Sequence, residues 1–491
     1  MTLKDPPCYR SVIRGWVYLV SNPTAFTDRP TPTTGEPALS TAPTGRPRAT
    51  LFAALLGFFV VTLDAVIVNV ALPSIRRDLG GGIAGLQWVV DAYTLAFAAL
   101  LLTSGSLADR IGAKRAFGAG LALFVAASLV CGVAPNLTAL VAARVLQGAA
   151  AALMMPASLA LVGQAYPDPR RRAHAVAAWA MGGAVASTSG PVFGGLLTLA
   201  SWRWIFLVNL PVGPIGLLLL RGAATSPVRT ALFDPAGQVA GVVTMAALTF
   251  GAVEAGAAGL TDVRVLTAFV IALCAGIAFV LVERRVPHPM VPLTLFRSGS
   301  VVGALVVGFA FMVGYYGLPF VMSLFLQQER GLSPLQTGVV FLPMMLVGLC
   351  LTPLVPHLTH RVGARPVIIA GLMCMVAGLA AVALAPSNLP LSGYGLLMVL
   401  VGLAGPTVAP PITAVLLNSV AVHRAGTASG LLNTSRQLGG ALAIAVFGAL
   451  LSGQAGFGAG VRTSLLVATA VAVVAALTAA RSLGRHHQIR E

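Results

Sequence analysis

Residues 105–115 read GSLADRIGAKR, and residues 356–365 read PHLTHRVGAR. An offset of 251 places Leu107 on Leu358, Arg110 on Arg361, Gly112 on Gly363 and Lys114 on Arg365. The second copy has decayed: Pro356 stands where Gly105 does, and His360 where Asp109 does. A second echo, RRA at 171–173 and HRA at 423–425, recurs at nearly the same spacing. Each copy of the first repeat is a short basic turn between two long apolar runs. The chain therefore reads as two related halves, the layout expected of a membrane transporter with its site between internal repeats.

Working outward from the repeat, 57% of the residues are hydrophobic and only 9% charged. Soluble domains carry about 25% charged residues, so water alone is not the solvent of this chain. A bilayer core of ~30 Å needs ~20 apolar residues per helix. Fourteen such helices are predicted, near 51–71, 86–106, 115–134, 138–163, 173–198, 204–221, 236–257, 263–282, 300–325, 335–356, 365–385, 394–417, 427–452 and 462–480. The predicted class is an all-α polytopic membrane protein. Its expected parts are a tail (1–50), a six-helix bundle (51–221), two extra helices with linkers (222–299), a second six-helix bundle (300–480) and a short C-terminal tail (481–491). Pro, Thr and Ser without apolar period mark residues 1–50 as a disordered tail. The run 15–20 is too short for a signal-peptide core.

Charge distribution orients the spans. Of the 31 Lys and Arg, six (Arg76, Arg77, Arg203, Arg264, Arg330 and Arg462) fall on one set of loops. Arg144 and Arg436 fall inside spans, and the remaining 23 lie on the other side with both tails. By the positive-inside rule both termini are expected in the cytoplasm of a cell whose cytoplasmic membrane holds the chain. The net charge of +17 does not point to nucleic acid, because the basic residues sit in short separated pieces rather than on one face. The five cysteines show no paired spacing and imply neither metal site nor disulfide framework.

Longer motifs carry a family resemblance. GSLADRIGAKR resembles the motif A loop of the major facilitator superfamily. LDAVIVNVALP (63–73) resembles the first-helix motif of drug:proton antiporters, with Val66 where Thr is usual, and RVLQGAAAA (144–152) their fourth-helix motif. SGPVFGG (189–195) resembles the antiporter signature, with Ala186 in place of its leading glycine. WRWIFLVNLPVG (202–213) and GTASGLLNTSRQLGG (426–440) are similar to segments of the fourteen-span EmrB/QacA-type exporters, and the whole pattern is similar to actinobacterial antibiotic-resistance exporters of the methylenomycin type. The resemblance implies the major facilitator fold and proton-coupled export of small hydrophobic or cationic drugs.

Charges inside spans are costly unless paired or hydrated, so Asp64, Asp91, Arg144, Glu254 and Arg436 are the candidate coupling and substrate residues. Burial favours the neutral form of a carboxylic acid and a nearby cation its charged form. An acid between the two can exchange a proton, the role expected of Asp64; the alternative is a structural partner for a polar neighbour. The resemblance implies that Arg144 tunes proton release, and an arginine keeps its charge, so its partner must change. That partner is expected to be Asp64 or Asp91, the alternative being a static ion pair. Asp91 is placed near the outer end of the second helix, within reach of water, facing either cavity or interface. Glu254 is a second acid for dicationic cargo or a wetted surface residue; Arg436 has a buried role, structural or functional.

Gly190, Gly194 and Gly195 offer a small face for close helix approach, and Pro191 breaks one backbone bond. Together they are expected to seal the cavity. Gly105, Asp109, Arg110 and Gly112 form an expected cytoplasmic latch. The aromatic and Met residues Met154, Met155, Phe311, Met312, Tyr315, Tyr316, Phe320 and Phe325 read as packing or lipid contacts before they read as a drug pocket. Histidines 174, 288, 357, 360 and 423 are expected in cytoplasmic loops and 486 and 487 in the tail, none at metal-binding spacing. No enzyme chemistry, cofactor, metal or ATP loop is expected; the coupling ion is H+. The remaining alternative within this fold is an exporter or importer of an endogenous metabolite or nutrient. A monomer in the lipid bilayer is expected, its partner a small-molecule substrate.

Overall fold

The computed structural model describes residues 46–224, 226, 234–286, 289–421, 424–452 and 456–483. The predicted tail up to residue 45, residues 484–491 and four of the histidines (288, 423, 486, 487) lie outside the described residues. Among the described residues there are fourteen helices long and apolar enough to cross a membrane. They are α1 (Pro47–Leu79), α2 (Ile83–Ile111), α3 (Ala113–Gly132), α4 (Leu137–Ala165), α5 (Pro169–Ala200) and α6 (Trp204–Arg221) in the first bundle. The extra pair is α7 (Pro235–Ala258) and α8 (Val263–Arg285). The second bundle holds α9 (Gly299–Leu324), α10 (Pro334–Leu351), α11 (Ala364–Leu384), α12 (Leu391–Asn418), α13 (Ala425–Leu451) and α14 (Phe457–Ser482).

Short polar residues start these helices by accepting otherwise orphaned backbone N–H groups. Asn136 caps α4, Asp168 caps α5, Asp234 caps α7 and Asp262 caps α8. At α10, Ser333 and Gln336 form a reciprocal capping box. Pro47 opens α1 in its first turn, so that helix begins four residues before the predicted start and continues through the polar stretch 74–79. α6 is broken between Leu207 and Val212, where Asn209 and Pro211 form turns. His174 lies within α5, and His357 and His360 lie in a short helix, Val355–Val362; their predicted loop positions are corrected accordingly. Local capping and apolar context extend helix into stretches that composition alone reads as loop.

The halves are built alike. In the first bundle α4 packs on α2, α3 and α1, while α5 and α6 pack on α1; in the second, α12, α13 and α14 repeat those pairings on α10, α11 and α9. Gly148 of α4 lies on the Tyr93 carbonyl of α2, and Gly402 of α12 lies on the Met344 carbonyl of α10. Small residues let these backbones approach where lipid supplies no hydrophobic drive. The repeated turns share a conformation: Gly112 has φ 87° and ψ 136°, Gly363 φ 90° and ψ 157°. Only glycine adopts this region without strain. Gly112→Ala is expected to cost about 1–3 kcal/mol, because its Cβ would also lie 3.2 Å from the Ser226 carbonyl oxygen. Gly363→Ala, whose nearest neighbour is 3.8 Å away, should lower the melting temperature in detergent by less.

Two seams join the bundles, α5 against α10 and α2 against α13. Gln87 of α2 donates to the carbonyls of Ile444 at 2.9 Å and Ala445 at 2.5 Å, and Thr434 of α13 donates to the Ala98 carbonyl at 3.3 Å. Ser323 donates to the Asn69 carbonyl at 2.7 Å and Gln327 to that of Val70 at 2.9 Å. These bonds run from mid-span to the predicted outer face, which is therefore closed. α7 packs on both α2 and α13 and so covers that seam, with α8 packed on α7.

Candidate functional site

Asp64 and Arg144 face one another inside the first bundle, each with a fully buried side chain, and Arg144 Nη1 pairs with Asp64 Oδ2. Sequence alone left the partner of Arg144 open between two acids; the structure brings it to Asp64. One turn of α4 onward, Gln147 accepts from Arg144 Nη1 at 2.9 Å and donates to Asp64 Oδ1 at 3.2 Å. Asn209 donates to the same Oδ1 at 3.1 Å, and Ser128 of α3 accepts from Gln147 at 2.8 Å and from Asn209 at 3.2 Å. Asn209 sits in the break of α6, with its side-chain amide turned into the bundle. Arg144 is further held by the Val89 carbonyl at 2.9 Å and by the face of Tyr93, 4.3 Å from its ring centroid. The Tyr93 hydroxyl donates to the Val61 carbonyl at 3.0 Å and so ties α2 to α1.

A buried ion pair stabilises only if the remaining donors and acceptors are satisfied. Both Asp64 oxygens have partners, but Arg144 Nη2 has none among the described residues. The network has the parts of a switch. A proton on Asp64 removes the reason for Arg144 to stay on it, while the Val89 carbonyl and Gln147 remain as acceptors. Gln147, Asn209, Ser128 and Tyr93 were not singled out from sequence, although RVLQG and VNLPVG contain two of them. An amide beside a buried charge was the available signal.

Asp91 is placed differently from the expectation. It is wholly buried, with neither carboxyl oxygen hydrogen-bonded among the described residues. Water does not reach it in this closed form. Gln87, Asp91, Thr94 and Ala98 recur at helical spacing on α2, and Gln87 and Ala98 meet α13, so Asp91 belongs to the seam between bundles. Glu254 is half-buried near the end of α7, two residues before Gly256, which packs on Ala449 of α13. Arg436 lies partly exposed on α13 in the other bundle and takes no part in the hydrogen bonds of the Asp64 network.

The glycines of α5 connect the site helix to a seam. A Cβ on Gly190 would lie 3.0 Å from Val66 Cγ1, and one on Gly194 would lie 2.7 Å from the Ile67 carbonyl oxygen, one turn beyond Asp64. A Cβ on Gly195 would lie 2.6 Å from Leu335 Cα of α10, and Gly338 of α10 rests on the Pro191 carbonyl. α5 remains helical through Pro191. At the expected latch, Gly105 faces open space and Asp109 and Arg110 are exposed. Asp109 has no ion pair or hydrogen bond among the described residues. The loop is tied within its own half through Lys114, whose Nζ donates to the Ala223 carbonyl at 2.5 Å and whose backbone N–H donates to Ser226 Oγ at 3.1 Å.

Of the aromatic and Met residues, Met154, Phe311, Met312, Phe320 and Phe325 are buried in the core and Tyr315 and Tyr316 are partly exposed. A cavity of about 870 Å³ lies elsewhere, between α2 and α4 on one side and α7 and α8 on the other. Its walls, such as Trp88, Val145 and Phe250, are apolar, and it does not include Asp64, Arg144 or Arg436. The charged network and this groove beside the extra helices are thus separate features.

Residues 54–444 match the family model described as Major Facilitator Superfamily. The chain is 38% identical over 409 residues to the multidrug resistance protein Stp of Mycobacterium tuberculosis (strain CDC 1551 / Oshkosh), covering 82% of this chain and 75% of that protein. It is 35% identical over 435 residues to the methylenomycin A resistance protein of Streptomyces coelicolor (strain ATCC BAA-471 / A3(2) / M145), covering 87% and 91%. Among solved structures it is similar in fold to the peptide transporter POT in complex with sulfate, with a TM-score of 0.67 at 18% identity, covering 93% of this chain and 97% of that one.

Proposed function

The chain belongs to the major facilitator superfamily, and from that premise we propose that it exports small hydrophobic drug-like molecules across the cytoplasmic membrane in exchange for protons. The observation that carries the reading is the fully buried Asp64–Arg144 pair with its Gln147 and Asn209 partners. The names of the relatives, resistance proteins against several antibiotics, support the cargo class. Both termini lie in the cytoplasm in this reading, a single chain suffices, and H+ is the coupling ion with no cofactor.

In the cycle, the outer seam opens and Asp64 takes a proton from outside. Arg144, released, turns to the Val89 carbonyl and Gln147, which already accept from it at 2.9 Å. Movement of α1 is passed through Gly190 and Gly194 to α5, and through Gly195 to α10. With the outer side closed and the inner side open, Asp64 returns its proton to the cytoplasm and pairs again. The energy comes from the proton gradient, spent on alternating access to one central passage.

The test is accumulation of a fluorescent dye by inverted vesicles energised with a proton gradient. Wild-type accumulation should collapse when a protonophore is added, and Asp64→Asn should fall to that same background. Transport indifferent to the protonophore, or unchanged in Asp64→Asn, would remove the coupling assignment.

A further inference from the structure

Arg436 is a buried-span charge that the Asp64 network does not use. Its stem packs on α9, where a Cβ at Gly308 would lie 3.1 Å from Arg436 Cγ. Its guanidinium carbon is 6.0 Å from the Phe311 ring centroid. Its Nε is buried without an acceptor, and no hydrogen bond or ion pair of this guanidinium exists among the described residues. The residue is nonetheless partly exposed, so its fork meets open space rather than packed protein. Arg144 is the contrast: wholly buried, with an acid, an amide and a carbonyl around it.

Nothing in its own bundle can neutralise Arg436. From Gly299 to Ser482 the sequence has a single acid, Glu329, at the predicted outer end of the α9 segment. Asp64 is taken by Arg144. Asp91 lies under the α2–α13 seam, whereas Arg436 is turned to α9. An uncompensated charge away from bulk water costs several kcal/mol unless hydrated, so an anionic ligand entering from outside the protein would gain by pairing with it. Guanidinium is suited to that: its planar fork accepts a carboxylate through two parallel hydrogen bonds.

The neighbours set the rest of the ligand. Phe311 and Tyr315 pack with their rings tilted by 30° and centroids 5.0 Å apart. The Tyr315 hydroxyl would lie 3.1 Å from a Cβ on Gly405 of α12, and Tyr316 Cβ 3.7 Å from a Cβ on Gly440 of α13. Aromatic faces from α9 thus stand beside the arginine among α12 and α13, a surface for an apolar or aromatic body with its charge at one end. No accessible acid is placed to receive a cation there.

We propose that Arg436 is an anion-recognition point, and that the cargo is an amphipathic acid bound through its carboxylate with its apolar body on the partly exposed Tyr315 and Tyr316. This rests on the export reading, narrows its cargo, and sets the cationic class aside.

The experiment measures equilibrium binding of three probes of one size to the full-length protein in nanodiscs: naphthalene-1-carboxylate, its methyl ester and 1-naphthylmethylammonium. The carboxylate should bind at least about tenfold more tightly than either, the scale of one charge-assisted hydrogen-bonded pair. Arg436→Gln should erase the preference and Arg436→Lys keep part of it. Because the wild-type arginine lacks a partner, Arg436→Gln should melt no lower than wild type; a structural ion-pair role would lower it. Equal binding of the three probes, or a carboxylate preference that survives Arg436→Gln, overturns the proposal. Vesicle transport separates it from the export reading. Proton-driven export of the ester and the amine with no preference for the acid sinks the anion site and leaves the exporter. Arg436-dependent carboxylate binding without proton-driven transport does the reverse.

Discussion

Arg144→Ala is expected to lower stability by about 3–5 kcal/mol, the cost of stranding one member of a buried ion pair, and to abolish proton-driven transport. The loss is large because three separate residues converge on the Arg144–Asp64 pair: Val89, Gln147 and Asn209. Alanine leaves the Asp64 carboxylate fully buried with only two amide donors on one oxygen. Arg144→Lys should restore part of the stability and none of the switching, since an ammonium lacks the fork that reaches Asp64, Gln147 and Val89 together. The double variant Asp64→Asn/Arg144→Gln should be less destabilised than the sum of the single changes, because neither charge is then left alone. Melting in detergent micelles reads these variants together with the single changes Asp64→Asn and Arg144→Gln; additive losses would show that the pair is not coupled.

The second large effect is expected at Gly195→Leu. Here the added atoms meet backbone, Leu335 Cα at 2.6 Å and the Pro334 oxygen at 2.7 Å, which no rotamer change relieves. The α5–α10 seam must separate, so the outer face cannot close and transport stops. In a cysteine-free background, Thr337→Cys, buried beside Gly338 of that seam, should become reactive to a membrane-impermeant thiol reagent once Gly195→Leu is added. Gly163→Leu on α4, where nothing lies within 4 Å, is the control and should transport normally. Full, tightly coupled transport by Gly195→Leu would deny the seam its sealing role.

These two variants differ in how far sequence could anticipate them. SGPVFGG announced a close helix approach, because a glycine in a span has few other uses. It did not say that its glycines serve two different neighbours: Gly190 and Gly194 seat α5 on α1, and Gly195 seats it on α10. Helical rotation separates them, and rotation is set by packing. The charges show the same limit. Asp64 and Arg144 stood out because both interrupt apolar runs, yet Asp91 does so equally and proves to be a dry residue of the α2–α13 seam. Asn209 fell inside a predicted continuous span, 204–221, and was not singled out; α6 is in fact broken there, and Asn209 donates to Asp64.

Span number, the duplicated architecture and family membership were written in the chain itself, because each is a local or self-comparing property. Twenty apolar residues make a span wherever they occur, and the glycine turns at 112 and 363 keep one conformation because each needs the same positive φ. The choice of partners belonged to the tertiary structure. Asp64 meets Arg144 across 80 residues, and Arg436 meets no acid among the described residues, because an electrostatic contact decays over a few ångströms in space and takes no account of separation along the chain. Only the crossing and rotation of packed helices decide which charges come within that reach.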